Sequence, residues 1–197
     1  MQSKNRRRKT IRLQGYDYSQ TGAFFVTICT YNHRCLLGQI IDGEMILNRA
    51  GRIVQEEWLN LPRLRPQVRL DQFVVMPNHF HGILMLIEET EGTASRAPTR
   101  EGFGKPISGS LPTIIRGFKS VVTHRINLTQ HTPGQAVWQR GFYEHVIRNE
   151  ESLNRIREYI LTNPSRWELD RENPRRRGED EFDHWLAQFK TRPGQCL

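Results

Sequence analysis

The chain has 197 residues, 37% of them hydrophobic and 25% charged, and its formal net charge is +8. This length suits one domain with a continuous core, and the periodic apolar runs exclude a chain that is disordered throughout. The positive charge favours a polyanionic partner, and no run of residues is apolar for long enough to span a membrane. We therefore expect a cytoplasmic protein that binds nucleic acid.

The three cysteines are Cys29, Cys35 and Cys196; their number is odd and none forms a CxxC pair, which argues against a disulfide framework. His33 lies between Cys29 and Cys35, so these three side chains are close enough in sequence for a zinc site. No second ligand pair of the usual spacing accompanies them. We favour free thiols in a reducing compartment and keep zinc as the lesser alternative.

The first half of the chain predicts strands around one helix. In order, the predicted elements are a strand at 23–31, a hairpin of 36–40 with 44–48, a helix at 49–61, and strands at 68–76 and 79–87. Asn48 caps the helix, and Pro62 is expected to end it. The last predicted strand is apolar at nearly every position after its histidines, which is typical of a central strand covered on both faces.

In the second half, residues 88–109 are rich in Glu, Thr, Gly, Ser and Pro and indicate a mobile insertion. A helix then begins after Ser110, and residues 137–147 predict the last strand. Asn149 caps a final helix over 150–163.

This order predicts an α+β fold, a ferredoxin-like antiparallel sheet with two helices on one face, plus a C-terminal helix that bears a tyrosine. We expect three regions. They are a basic N-terminal arm at 1–14, one catalytic domain at 15–167, and a basic and polar C-terminal tail at 168–197.

His79 and His81 flank Phe80 at the start of the predicted central strand. Side chains two apart on a strand point to the same side, so the two imidazoles are able to hold one divalent metal. Phe80 then points into the core. We expect the turn at Pro77-Asn78 to leave the histidines at the sheet edge, where a substrate reaches them.

Tyr159 and Asn163 lie four residues apart on the final helix and therefore project together. On pattern alone, a tyrosine on an apolar stripe is more often a core residue than a catalytic one. Asn163 precedes Pro164, and its ordinary role would be to end the helix.

Four segments in order carry a family resemblance: MPNHFHGI, IIRGFKSVVTHRIN, VWQRGFYEHVIRNEE and REYILTNP. The first resembles the His-hydrophobe-His signature of the HUH endonucleases, and the last resembles the tyrosine helix of single-tyrosine HUH transposases. Together they resemble the REP-associated tyrosine transposases, over residues 15 to about 170.

The resemblance implies that His79, His81 and Asn163 are metal ligands and that Tyr159 is the nucleophile. It implies Mg²⁺ or Mn²⁺, no nucleotide cofactor, and a 5′-phosphotyrosine intermediate. The implied partner is single-stranded DNA with palindromic hairpins, and the implied enzyme is a monomer or a homodimer.

Further residues are candidates for contact with DNA. On the helix after Ser110, the cations Arg116, Lys119 and Arg125 either contact phosphates or solvate the outer face. On the predicted last strand, Phe142 and Tyr143, with Trp138, offer aromatic faces beside the positive charge of Arg140. Tyr143 is also the rival nucleophile.

Two alternatives to a transposase remain open. A ferredoxin-like sheet also serves non-catalytic nucleic-acid-binding modules, which would bind without metal. An HUH nuclease of replication or conjugation would share the cleavage chemistry, but such enzymes often carry paired tyrosines or a helicase domain.

Overall fold

The computed structural model describes residues 16–88 and 107–188. The arm predicted at 1–14 and most of the insertion predicted at 88–109 lie outside the described residues. The strands are β1 (Gly22–Cys29), β2 (Gly38–Ile41), β3 (Glu44–Leu47), β4 (Val68–Val75), β5 (His79–Leu86) and β6 (Tyr143–Ile147). The helices are α1 (Arg49–Leu59), α2 (Leu61–Leu64), α3 (Leu111–Gln130), α4 (Glu150–Thr162) and α5 (Glu181–Gln188), with 3-10 turns at Tyr31–His33 and Pro164–Leu169.

The main sheet has the strand order β4-β5-β1-β6, and every neighbouring pair is antiparallel. The two middle strands are therefore β5 and β1, while β2 and β3 form a separate hairpin. With α1 and α3 as its two helices, this is the predicted ferredoxin-like α+β arrangement, and the prediction is confirmed.

Both faces of the sheet are buried. On β1, Phe24 and Val26 belong to a core closed by α1 and α3, whereas Phe25 belongs to a second core closed by α4 and α5. Likewise β5 sends Leu84 to the first core and Ile83 to the second. This two-sided burial explains why β5 is apolar along most of its length. Among the described residues, no helix is both long and apolar enough to cross a bilayer.

Gly82 allows a close approach between β5 and α1. A Cβ added at Gly82 would lie 2.7 Å from Trp58 Cζ2 and 2.8 Å from Phe80 Cε1. Trp58 is fully buried, and its ring centroid lies 4.6 Å from that of Phe80. The missing side chain at Gly82 thus makes room for the indole that fills the first core, on the sheet face opposite the histidines.

Two predicted boundaries were wrong. Helix α1 ends at Leu59, and Pro62 lies in the first turn of the short α2 rather than ending an element, because proline fits a first turn. The last strand begins at Tyr143 instead of 137, since Trp138 forms only an isolated bridge to Thr30 and Gly141 has a φ of +81°. The residues between Trp138 and Tyr143 form a loop.

Helix α5 was not predicted. It lies within residues 168–188, which the sequence assigned to the tail, and it buries Phe182 and Leu186 in the second core. The helix has only eight residues, so its apolar residues give too short a pattern to mark an element from sequence.

Candidate active site

His79 and His81 lie at the start of β5 on the face that α4 covers, and their ring centroids are 4.4 Å apart. A 2.9 Å hydrogen bond joins His81 Nδ1 to Thr27 Oγ1 on the neighbouring β1. On the other ring, His79 Nδ1 lies 2.9 Å from Asn78 Oδ1. Both imidazoles are therefore oriented by the protein through Nδ1, and each Nε2 is turned toward α4 and the residues after it.

The protonation of His79 follows from Asn78. The Asn78 amide donates through Nδ2 to the backbone oxygens of His33 and Glu172, so its Oδ1 is the acceptor beside His79. His79 Nδ1 must then carry the proton, and Nε2 of the neutral ring presents a lone pair. That lone pair makes no hydrogen bond within the described residues and lies 3.7 Å from Asp170 Oδ2.

Helix α4 brings Tyr159 and Asn163 to the histidines, as their four-residue spacing predicts. Tyr159 Oη lies 3.2 Å from His81 Nε2 and 3.4 Å from Asp170 Oδ2. Asn163 Nδ2 donates to Asp170 Oδ2 over 2.9 Å, while Asn163 Oδ1 is buried and has no hydrogen-bond partner in the described part of the chain. The four residues that sequence reasoning selected thus form one cluster.

Asp170 is the member of the cluster that sequence reasoning missed. It follows the 3-10 turn at Pro164–Leu169, is 2% exposed, and accepts a hydrogen bond from the backbone nitrogen of Glu172 through Oδ1. The ligand atoms of His79, His81 and Asp170 all lie within 4.8 Å of one another. No spacing rule connects Asp170 to the histidines, and it stands in a charged stretch, so the sequence offers no signal for it.

Burial governs the charge states of the cluster. It lowers the pKa of His79, and it lowers the pKa of His81 well below its ordinary value, so both rings are neutral at pH 7. Burial, followed by the Asp170 carboxylate, raises the pKa of Tyr159 well above its ordinary value. Without a bound cation, Tyr159 is therefore a phenol rather than a phenolate.

Substrate access differs from the prediction. We expected exposed histidines, but His79 is 0% exposed, His81 2% and Tyr159 5%. Residues 164–188, which we call the cover segment, account for much of this burial. Its Phe182 stacks on Tyr159 with ring centroids 3.7 Å apart and an interplanar angle of 9°, and Trp167 stacks beside His79 at 6.0 Å.

Two of the predicted DNA-contacting cations on α3 are bound within the protein. Lys119 donates to the backbone oxygens of Gln139 and Gly141, and burial lowers its pKa to about 8. Arg125 forms ion pairs with two glutamates of α1, Glu56 and Glu57. Both side chains thus hold elements together, and the structure gives them a structural role that the sequence pattern does not reveal.

Arg116 and Arg140 are exposed. Arg116 and Lys119 line a groove of about 810 Å³ between α3 and the loop before β6. None of the clustered site residues lines this groove.

Phe142 and Tyr143, the two aromatic candidates for DNA contact, lie on opposite faces of the sheet. Phe142 packs against the first core, away from the histidines, whereas Tyr143 packs against the second core, which contains Tyr159. Burial raises the pKa of Tyr143 to about 12, and the Arg171 guanidinium lies 5.4 Å from its ring centroid.

No family model matches the chain. Among solved structures, a REP-associated tyrosine transposase bound to a REP hairpin has the same fold, with a TM-score of 0.54 and 24% identity; the match covers 78% of this chain and 72% of that one. The REP-associated tyrosine transposase of Escherichia coli K12 is 25% identical over 147 residues, which are 75% of this chain and 68% of that protein. The chain is thus related to the REP-associated tyrosine transposases.

A nearer relative lies in another bacterium. An uncharacterised protein of Haemophilus influenzae is 43% identical over 166 residues, which are 83% of this chain and 91% of that protein. This chain belongs to the same family as the Haemophilus influenzae protein.

Proposed function

We propose that this protein is a transposase-type enzyme that cleaves and rejoins single-stranded DNA bearing palindromic hairpins, with Tyr159 as its nucleophile. The observation that carries the proposal is the position of Tyr159 Oη, 3.2 Å from His81 Nε2 and 3.4 Å from Asp170 Oδ2 in one buried polar cluster. The relationship to REP-associated transposases supports the choice of substrate.

The residues of the cluster fit a divalent cation. The His79 lone pair and the Asp170 carboxylate are both acceptors, they are fully buried, and they face each other over 3.7 Å without a proton between them. Asn163 Oδ1 is a further buried acceptor without a partner. His79, His81 and Asp170 would hold Mg²⁺ or Mn²⁺, with Asn163 beside them, and the bound ion would neutralise and polarise the scissile phosphate.

Tyr159 performs the covalent step in this proposal. Its Oη forms a bond to phosphorus, and the bond from phosphorus to the 3′-oxygen breaks. The phenol proton passes to water in the opened site, and the departing 3′-oxygen takes a proton from water. The products are a 5′-phosphotyrosine and a free 3′-hydroxyl. Since one phosphoester replaces another, a 3′-hydroxyl is able to reverse the reaction without ATP.

Two features of the site bear on how the enzyme works. Tyr159 reaches the histidine pair of its own chain, so one monomer holds the whole cluster and no second copy is required. The cover segment must move away before a phosphate reaches Tyr159, because Phe182 lies flat on the tyrosine ring. Acting on chromosomal DNA, the enzyme would work in the cytoplasm.

The test is covalent capture of an end-labelled single-stranded hairpin with Mn²⁺, read as a shifted band on a denaturing gel. We expect Tyr159→Phe to reduce adduct formation at least ~100-fold, because phenylalanine has no nucleophile. The matched control is Tyr143→Phe, which removes the rival hydroxyl and should leave the adduct in place. Persistence of the adduct in Tyr159→Phe would contradict the proposal.

A second candidate is a non-catalytic nucleic-acid-binding protein. The observation that favours it is the near-complete burial of Tyr159, which is 5% exposed. If the protein only binds nucleic acid, its affinity for the hairpin should be equal with Mn²⁺ and with EDTA, and no covalent adduct should form under either condition.

A further inference from the structure

A second group of metal-binding side chains lies outside the cluster described above. Cys29 at the end of β1, His33 in the following 3-10 turn and Glu172 in the cover segment bring their ligand atoms within 4.8 Å of one another. We call these three residues the thiol cluster. We propose that the thiol cluster binds Zn²⁺ and thereby fastens the cover segment to β1.

The distances suit such an ion. Cys29 Sγ lies 3.4 Å from Glu172 Oε2, and His33 Nδ1 lies 3.5 Å from the same oxygen. A tetrahedral zinc ion with ordinary bond lengths sets its ligand atoms roughly 3.3–3.6 Å apart. A small contraction of the cluster around the ion therefore satisfies its geometry.

His33 supplies an independent observation. Its Nδ1 is a buried atom that makes no hydrogen bond within the described residues, although the ring as a whole is 37% exposed. Asn32 and His33 both adopt left-handed backbone conformations, with φ of 54° and 51°. Residues other than glycine rarely adopt these angles, so the backbone is strained in the turn that directs this nitrogen at Glu172.

The charges also match. A Cys29 thiolate and the Glu172 carboxylate together neutralise Zn²⁺, while a neutral imidazole is its commonest nitrogen ligand. Arg171 Nε donates a hydrogen bond of 2.8 Å to the other carboxylate oxygen of Glu172, Oε1. Oε2 of Glu172 is thereby left directed at Cys29 and His33. Zinc binding would release the thiol proton to solvent. The exposed side of His33 leaves a fourth position for water.

The zinc alternative considered from the sequence combined Cys29 and His33 with Cys35. In the structure, Cys35 is exposed and does not belong to the thiol cluster. The third ligand instead comes from a residue 143 positions after Cys29. Glu172 is two residues from Asp170, and its backbone nitrogen donates to Asp170 Oδ1. Zinc held here would therefore fix the part of the cover segment that delivers Asp170 to the histidines.

The experiment is titration of the full-length, metal-free protein with Co²⁺, recorded as the thiolate-to-cobalt charge-transfer absorption in the near ultraviolet. The histidine cluster contains no sulfur and cannot give this band, so the band reports a cysteine ligand, and the cysteine variants identify which cysteine it is. We expect the band in the wild-type protein and in Cys35→Ser, which serves as the matched control. We expect its loss in Cys29→Ser and at least a ~10-fold weaker Co²⁺ affinity in Glu172→Gln.

A second measurement needs no variant and covers the case in which Cys29→Ser does not fold. Burial raises the pKa of the Cys29 thiol, so the reaction is run at a pH and for a time that alkylate Cys29 in the metal-free protein. One equivalent of Zn²⁺ above that needed to fill the histidine cluster should then protect Cys29, but not Cys35, as read by peptide mass spectrometry. A wild-type protein without the charge-transfer band, a band that survives Cys29→Ser, or equal alkylation of Cys29 with and without Zn²⁺ would each overturn the proposal.

Discussion

At the scale of single residues, the central feature is the buried Nε2 of His79, which has no hydrogen-bond donor in the described part of the chain and faces the Asp170 carboxylate. His79 presents a lone pair because Asn78 fixes its proton on the other nitrogen, and Asp170 presents a carboxylate to that lone pair. Two acceptors in a low-dielectric interior repel each other unless a proton or a cation lies between them. The free energy that this repulsion costs is what a divalent ion would recover on binding.

The Asp170→Asn variant tests this arrangement. The substitution keeps the shape of the side chain but removes its charge, so we expect Mn²⁺ affinity to fall by about 10- to 100-fold. Titration calorimetry with the metal-free protein measures the change. The matched control is Glu168→Gln, an exposed carboxylate in the same segment, which should bind as the wild type does. Equal affinities for wild type and Asp170→Asn would count against a metal at this cluster.

Sequence reasoning found four members of the cluster because each pair follows a local rule. His79 and His81 are two apart on a strand, and Tyr159 and Asn163 are four apart on a helix. Asp170 obeys no such rule, since a 3-10 turn and tertiary packing bring it to the site. The metal-binding and nucleophilic roles of these residues remain predictions.

At the scale of elements, an ion pair holds α4 over the sheet, and the cover segment covers the part of α4 that carries Tyr159. Arg157 makes two hydrogen bonds to Asp71 of β4, 2.9 Å from Nε to Oδ1 and 2.6 Å from Nη2 to Oδ2. This paired contact orients the helix that carries Tyr159. On its far side, the ring of Tyr159 lies under Phe182 of α5. Tyr159, the proposed nucleophile, is thus fixed by one element and covered by another.

The Phe182→Ala variant separates these two effects. Removing the ring uncovers Tyr159, so we expect faster adduct formation with single-stranded hairpins, although the lost core packing lowers the free energy of unfolding by about 3 kcal/mol. Quenched-flow assays and urea unfolding measure the two quantities. Leu161→Ala, at an exposed position of α4, is the control and should change neither. A folded Phe182→Ala protein with an unchanged or slower rate would show that the cover does not limit access.

Helix α5 is the described helix of eight or more residues that the sequence pattern did not predict. The strands and long helices were predicted because their apolar residues repeat with clear periods. In contrast, α5 has eight residues, and only Phe182 and Leu186 are buried. Phe182, Trp185 and Leu186 follow the i, i+3, i+4 spacing of a helix, but over only two turns, and such a short run was not recognised as an element.

At the scale of the whole molecule, the sheet separates an apolar core on one face from the buried polar cluster on the other. The first core, under α1 and α3, is apolar and includes Trp58 against Gly82. The second core, under α4 and α5, holds the neutral histidines and Tyr159. The predicted ferredoxin-like order was confirmed because strand order follows from the sequence of elements and short connections. The depth of the site was not predicted, because burial by the cover segment depends on contacts between distant residues.

Buried neutral histidines make the stability of the metal-free protein depend on pH. Burial lowers the pKa values of His79 and His81, and it lowers that of His145 to about 4. The unfolded chain therefore binds more protons than the folded protein as pH falls below about 6.5. We expect the free energy of unfolding to be fully present above that pH and to fall below it, by up to about 1.4 kcal/mol per pH unit for each histidine.

Urea unfolding between pH 6.5 and 5, in EDTA, checks this expectation. His145→Gln should reduce the slope by one proton, because it removes one of the three titrating rings. The control is Leu161→Ala, which changes an exposed side chain without a titratable group and should leave the slope unchanged. If His145→Gln kept the wild-type slope, the buried imidazole would not be the source of the pH dependence.

The most direct test of the central claim is to identify the residue that DNA attaches to. A single-stranded hairpin incubated with the wild-type protein and Mn²⁺ is digested with nuclease and protease, and the modified peptide is sequenced by mass spectrometry. We predict one phosphotyrosine-linked nucleotide, on Tyr159. Attachment at Tyr143, or a folded, metal-loaded protein that forms no covalent product with such hairpins, would contradict it.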